Sequence, residues 1–155
     1  MVVTDEMVCF SLYAASRATT QLYRTLLEPW GLTYPQYLVL VALWREGEQT
    51  VSSLSDLLQL DSGTLSPLLR RMEQAGLVVK ARRSQDERVV TVAIGPRGAE
   101  LRVELAHVPS RIAAATGVQG DDGEALIRTL QQVTASMHSA AASAHETNAS
   151  SASPS

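Results

Sequence analysis

The chain has 155 residues, 45% hydrophobic and 19% charged, with a formal net charge of −3. That length is one domain or one compact subunit, the composition excludes disorder throughout, and no run approaches the roughly 18 apolar residues of a membrane span. A single cysteine, Cys9, rules out an internal disulfide and a Cys-rich zinc site. The three histidines (His107, His138, His145) have no ligand spacing, so no metal or cofactor is expected. Met1-Val-Val-Thr-Asp-Glu has neither the basic start nor the apolar core of a signal peptide, and a cytoplasmic location is expected.

Helical spacing of Phe10, Tyr13, Arg17, Leu22 and Leu26 predicts a first helix across the first 30 residues. Thr4 is its expected N-cap, Asp5 and Glu6 fill the dipole-favoured first turn, and Pro29-Trp30-Gly31 ends it. Thr33-Tyr-Pro-Gln36 has the form of a capping box before an apolar helix, Tyr37 to Trp44, closed by Glu46-Gly47. Thr50 caps a short third helix, Val51 to about Gln59, with Leu54, Leu57 and Leu58 expected inward. After the turn at Leu60-Asp-Ser-Gly-Thr, a fourth helix runs to about Ala75. Its inner stripe is Leu65, Leu68, Leu69 and Met72, and Gly76 is its stop.

The period then changes to that of strands, Leu77 to Arg82 and Arg88 to Ile94, with Arg83 to Glu87 as a polar hairpin tip. Two Ala-rich helices are predicted beyond Gly95-Pro96, Arg97 to Thr116 with a kink at Pro109, and Asp121 to Ala142. The fold expected is mainly α with a small β-hairpin: a winged helix-turn-helix with N- and C-terminal dimerisation helices. Its parts are a helical dimerisation region (1–32 and 97–144), a DNA-binding domain (33–96) and a disordered tail (145–155). There is no internal repeat.

Charge is uneven. From Arg70 to Arg88 there are six basic and three acidic residues, so this window is +3 and the rest of the chain −6. A local basic patch on an acidic chain suits a polyanion, but by charge alone a solvated charged face fits better unless the elements that carry it come in a DNA-binding order. Short helix, turn, helix and basic hairpin together give that order. The second helix buries one stripe and turns Ser62, Thr64, Ser66, Arg70 and Arg71 outward, groups small or long enough to meet base edges in a major groove. The hairpin adds Arg82, Arg83 and Arg88 as a second contact. Double-stranded operator DNA is the expected partner.

Asp86-Glu87-Arg88 inside a strand-turn-strand resembles the wing signature of the MarR family of dimeric bacterial regulators, which places Asp86 with the wing arginines. Four further stretches resemble the organic hydroperoxide resistance regulators within that family: Cys9-Phe-Ser-Leu-Tyr13-Ala-Ala-Ser-Arg17, Tyr23, Gly31-Leu-Thr-Tyr-Pro-Gln-Tyr37, and Leu60-Asp-Ser-Gly-Thr-Leu-Ser-Pro67. The resemblance runs from about Val8 to Gly98. One departure is Ile94-Gly95-Pro96, where the family has Leu-Thr.

The resemblance implies a homodimeric repressor, not an enzyme, that releases its operator when an organic hydroperoxide oxidises one cysteine. Cys9 matches that cysteine, and Tyr23 and Tyr34 match the two tyrosines that bond to it. Cys9 and Tyr23 are 14 residues apart, about 21 Å along a straight helix, so they meet only across an antiparallel pair of subunits. Tyr13, four residues from Cys9, is within reach of it on the same helix. With no second cysteine, a small external thiol caps the sulfenic acid or oxidation continues. Two other readings stay open: a repressor released by a noncovalent phenolic or apolar ligand, and a thiol peroxidase using Cys9. The peroxidase leaves the basic hairpin unexplained.

Overall fold

Side-chain caps and glycines set most element boundaries in the computed structural model, which describes residues 7–83 and 86–151. Helix α1 is Val8–Leu27, with Met7 at its N-cap and no side-chain cap. The proposed cap Thr4, with Asp5 and Glu6, lies outside the described residues. A 3₁₀ turn, Glu28–Trp30, follows and ends at Gly31. Helix α2, Tyr34–Glu46, starts at the expected capping box. Gln36 N–H donates to Thr33 Oγ1 at 3.4 Å and Thr33 N–H donates to Gln36 Oε1 at 2.9 Å. Thr50 caps α3, Val51–Leu58, by accepting from Ser53 N–H at 3.0 Å.

Asp61 caps α4, Ser62–Gln74. Its carboxylate takes the Thr64 N–H and the Thr64 hydroxyl, each at 2.9 Å. Leu65, Leu68, Leu69 and Met72 are all buried, as their spacing requires. Leu57 corrects the reading of α3. It is 52% exposed, because an eight-residue helix turns one stripe inward, and Leu54 occupies it.

Strands β2 (Val78–Arg83) and β3 (Asp86–Ile94) pair antiparallel. Pairing of Arg83 with Asp86 carries the ladder further toward the tip than the polar composition suggested, and Ser84 and Gln85 lie outside the described residues. A third strand, β1 (Gln49–Thr50), was not foreseen. It pairs with the far edge of β3, Gln49 opposite Val92 and Thr50 opposite Thr91, giving the order β1-β3-β2. Two residues are too few to leave an alternating pattern.

The helix expected from Arg97 to Thr116 is two, α5 (Pro96–Glu104) and α6 (Val108–Thr116), so the chain breaks ahead of Pro109 and does not kink at it. Proline is at home in a first turn, where its missing N–H has no partner to lose. Helix α7 spans Gly120–Ser151, beyond Ala142 and into the stretch expected to be disordered. Alanine favours helix, and after Pro109 the next proline is Pro154.

The departure at Gly95 has a steric cause. A Cβ there would lie 2.4 Å from the Gly76 carbonyl oxygen, and one at Gly98 would lie 2.2 Å from that of Leu77. The start of α5 therefore presses on the start of β2 with backbone alone. The chain divides into two compact units, 1–109 and 110–155. In the first, Leu27, Leu40, Leu54, Leu65, Met72, Val92 and Leu101 form the centre of the core. In the second, α7 exposes Leu126, Ile127, Leu130 and Met137 at helical spacing. No described helix is long and apolar enough to cross a membrane.

Candidate functional site

Helix α4 meets the geometric demand on a reading helix. Its apolar stripe is buried, and Ser62, Thr64, Ser66, Arg70 and Arg71 are all exposed on the rest of its surface. The Asp61 cap holds the end where the small hydroxyls stand, and its two bonds to Thr64 keep that carboxyl below its usual range. Arg82 is exposed on β2. Arg83, Asp86 and Arg88 are strand residues, and their side chains lie outside what is described. A cleft of about 480 Å³, lined by Thr50, Ser52, Ser66, Lys80 and Val90 among others, separates α4 from the wing strands. Lys80 was not singled out from the sequence. It pairs with Glu73 at 3.0 Å, and this contact ties the wing to α4.

The thiol and the tyrosines occupy opposite ends of α1. Cys9 is exposed, with Met7, Val8, Phe10 and Tyr13 also exposed around it. Tyr13 accepts a hydrogen bond from Arg17 at 3.0 Å, and the same guanidinium lies 5.7 Å from its ring centre. At the other end, Tyr23 of α1 stacks on Tyr34 of α2, ring centres 3.9 Å apart and planes 15° apart. The Thr33 cap is what sets Tyr34 there as the first residue of α2.

Tyr37, three residues on, is a member that sequence reasoning missed. Its ring is 5.6 Å from Tyr23 and 6.2 Å from Trp44, and it is buried. The signal was one helical turn of spacing from Tyr34. Burial, then the neighbouring phenols, push the Tyr23 hydroxyl up to about 12; burial also raises Tyr34 and Tyr37. These phenols are protonated donors across the physiological range. The stack divides two cavities. One, of about 350 Å³, is lined by Tyr23, Tyr37, Trp44, Arg45 and Arg102 among others; the second, of about 630 Å³, has Tyr34, Arg24 and Glu28 in its wall. Among the described residues no group of three or more His, Cys, Asp or Glu is placed to hold a metal ion.

A capped reading helix beside a three-stranded wing defines the class, a winged helix-turn-helix protein. Comparison with known proteins agrees. The family of SarA/Rot transcriptional regulators matches residues 21–105. The organic hydroperoxide resistance transcriptional regulator of Bacillus subtilis is 39% identical over 134 residues, 86% of this chain and 91% of that one. The HTH-type transcriptional regulator MgrA of Staphylococcus aureus is 38% identical, covering 83% of this chain and 88% of its own. Among solved structures, reduced AbfR bound to DNA superposes with a TM-score of 0.71 at 33% identity, over 84% of this chain and 91% of that one. AbfR, a Staphylococcus epidermidis protein, has also been solved overoxidised on DNA and in a disulfide form. The chain belongs to the MarR family of winged-helix transcriptional regulators. It is a DNA-binding regulator, and its relatives are regulators, not enzymes.

Proposed function

We propose that this regulator is a homodimeric repressor that senses organic hydroperoxides through Cys9. The observation that carries the reading is the stacked, half-buried Tyr23–Tyr34 pair, two phenol donors at the far end of the helix that bears the only thiol. One copy keeps Cys9 about four helix turns, about 21 Å, from Tyr23; an antiparallel second copy sets its own Cys9 against the pair. The exposed apolar side chains around Cys9 then gain a cover. Similarity to the Bacillus subtilis hydroperoxide regulator supports the same assignment.

The chemistry balances with what the chain supplies. The Cys9 thiolate attacks the outer peroxide oxygen, an S–O bond forms and the O–O bond breaks. Cysteine becomes a sulfenic acid, the peroxide becomes an alcohol, and the leaving alkoxide takes a proton. A small external thiol then condenses with the sulfenic acid, giving a mixed disulfide and water. Either product is bulkier than the thiol and no longer fits against the two phenol hydroxyls, which alters the spacing of the two reading helices. Ser62, Thr64, Ser66, Arg70 and Arg71 are assigned to the major groove, and Arg82, Arg83, Asp86 and Arg88 to the wing contact.

The test is a mobility shift on a duplex selected by the wild-type protein from a randomised pool, with and without cumene hydroperoxide. Wild type is expected to release the duplex on oxidation. Cys9→Ser is expected to fold, dimerise and bind, and to stay bound after peroxide, since a hydroxyl forms no sulfenic acid. Release by Cys9→Ser, or no release by wild type, overturns the reading. A noncovalent-ligand repressor would ignore peroxide in both proteins.

A further inference from the structure

The corner that carries the tyrosines is joined to α5 by two indoles. Trp44, on α2, donates its Nε1–H to the Gly98 carbonyl at 3.0 Å. Trp30, in the 3₁₀ turn between Tyr23 and Tyr34, donates to Glu104 Oε2 at 2.7 Å. Glu104 is held from its other side: Arg97 Nη1 donates to Oε1 at 2.5 Å and Nη2 to Oε2 at 3.3 Å. Arg97 also bonds Glu100 at 2.9 Å. The backbone of that arginine reaches the wing, because Arg97 N–H donates to the Gly76 carbonyl at 3.2 Å. Gly76 precedes β2, Gly95 follows β3, and the two touch with no room for a Cβ. On the Trp30 side, the His107 ring lies 5.8 Å from the indole and its Nδ1 is 3.1 Å from the Glu104 carbonyl oxygen.

An exposed ion pair alone contributes little. This one differs in what it spans. The carboxylate is the meeting point of a donor from the corner between the two sensing tyrosines and a donor from the base of the wing. Rotation of that corner has to move Trp30. Glu104 cannot follow without pulling on Arg97, and Arg97 is fixed by its backbone to the turn where the wing begins.

We infer that Glu104, clasped between Trp30 and Arg97, is a positioning residue that couples the Tyr23–Tyr34 pair to the wing and so to DNA affinity. The inference rests on the proposed sensing role of that pair, but its test does not need peroxide. It is a double-mutant cycle on operator affinity of the untreated full-length protein, using the selected duplex. Tyr23→Phe, Trp30→Phe and the double variant are compared by fluorescence anisotropy, with thermal melting of each. Sites more than about 7–10 Å apart that share no partner act independently to within about twofold. Coupling predicts that the effect of Tyr23→Phe changes by about fivefold or more when Trp30 is already Phe.

Glu104→Gln supplies the second cycle should Trp30→Phe melt early. It keeps an oxygen for the indole and loses the ion pair, so its coupling to Tyr23→Phe is expected to fall between that of Glu104→Ala and wild type. Additivity within about twofold in both cycles overturns the inference. Failure of wild type to release DNA on oxidation would instead overturn the sensing reading, and the cycle reports coupling all the same.

Discussion

Tyr23 is a phenol whose protonation contributes to folding, and the sign follows from its environment. Burial, reinforced by Tyr34 and Tyr37, raises its folded value from 10.0 to about 12. The folded state therefore holds a proton that the unfolded chain has lost between those values. This contribution is fully present below pH 10 and disappears as pH rises toward 12. Tyr23→Phe is expected to flatten that alkaline limb in denaturant titrations across the same interval, with neutral-pH stability little changed. A second outcome belongs to the same residues. Tyr23→Phe and Tyr34→Phe remove donors proposed to hold the reduced thiol, so each is expected to blunt DNA release while intact-mass spectrometry still finds Cys9 oxidised.

At the scale of elements, Gly98 of α5 leaves the least room for a side chain of any described glycine. Gly98→Ala would press a methyl into the Leu77 carbonyl, and a cost of about 1–3 kcal/mol in unfolding free energy is expected. Helix α4 and the wing are separable by salt. Arg70→Ala is expected to weaken specific binding by about 1–3 kcal/mol if the guanidinium meets a base edge. Arg88→Ala is expected to weaken binding to many duplexes alike and reduce the salt slope by about 1. Affinity unchanged in both would remove α4 and the wing from the interface.

These elements were legible to different degrees for physical reasons. Capping chemistry is local, so Thr33 and Thr50 marked their helices from sequence alone, Leu60-Asp-Ser-Gly-Thr marked the start of α4 without singling out Asp61, and the α4 stripe marked its buried face. Strand β1 is two residues that owe their conformation to β3. The gap between α5 and α6 carries no glycine; Pro109 marks the place, but a proline fits a kink inside one helix as well as the first turn of the next. Of the site, Tyr23 and Tyr34 were named through resemblance, and Tyr37 stood one helical turn beyond Tyr34; the Trp30–Glu104 contact, 74 positions apart, depends on tertiary packing that spacing does not encode.

For the whole molecule the open question is what covers its exposed apolar surface. Met7, Val8, Phe10 and Tyr13 at the start of α1, and Leu126, Ile127, Leu130 and Met137 on α7, are exposed in one copy. Large apolar side chains in such sets mark association surfaces. A dimer is expected at micromolar concentration by light scattering; a monomer there would contradict the proposed pairing of Cys9 with the partner's phenols. Charge acts at the same scale. The acidic remainder of the chain is expected to oppose indiscriminate adhesion to DNA, and the patch from Arg70 to Arg88 is proposed to localise binding.

The two-residue strand β1 has a consequence for solvent exchange. Thr50 both pairs with Thr91 and caps α3, and β3 lies between β1 and β2. The first helix of the DNA-binding pair and the wing therefore share a single backbone seam. Amide protons near Ser53, Thr91 and Val92 are expected to take up deuterium together and slowly, as one opening unit. Opening of the wing at its base would then be visible as faster labelling at the start of α3.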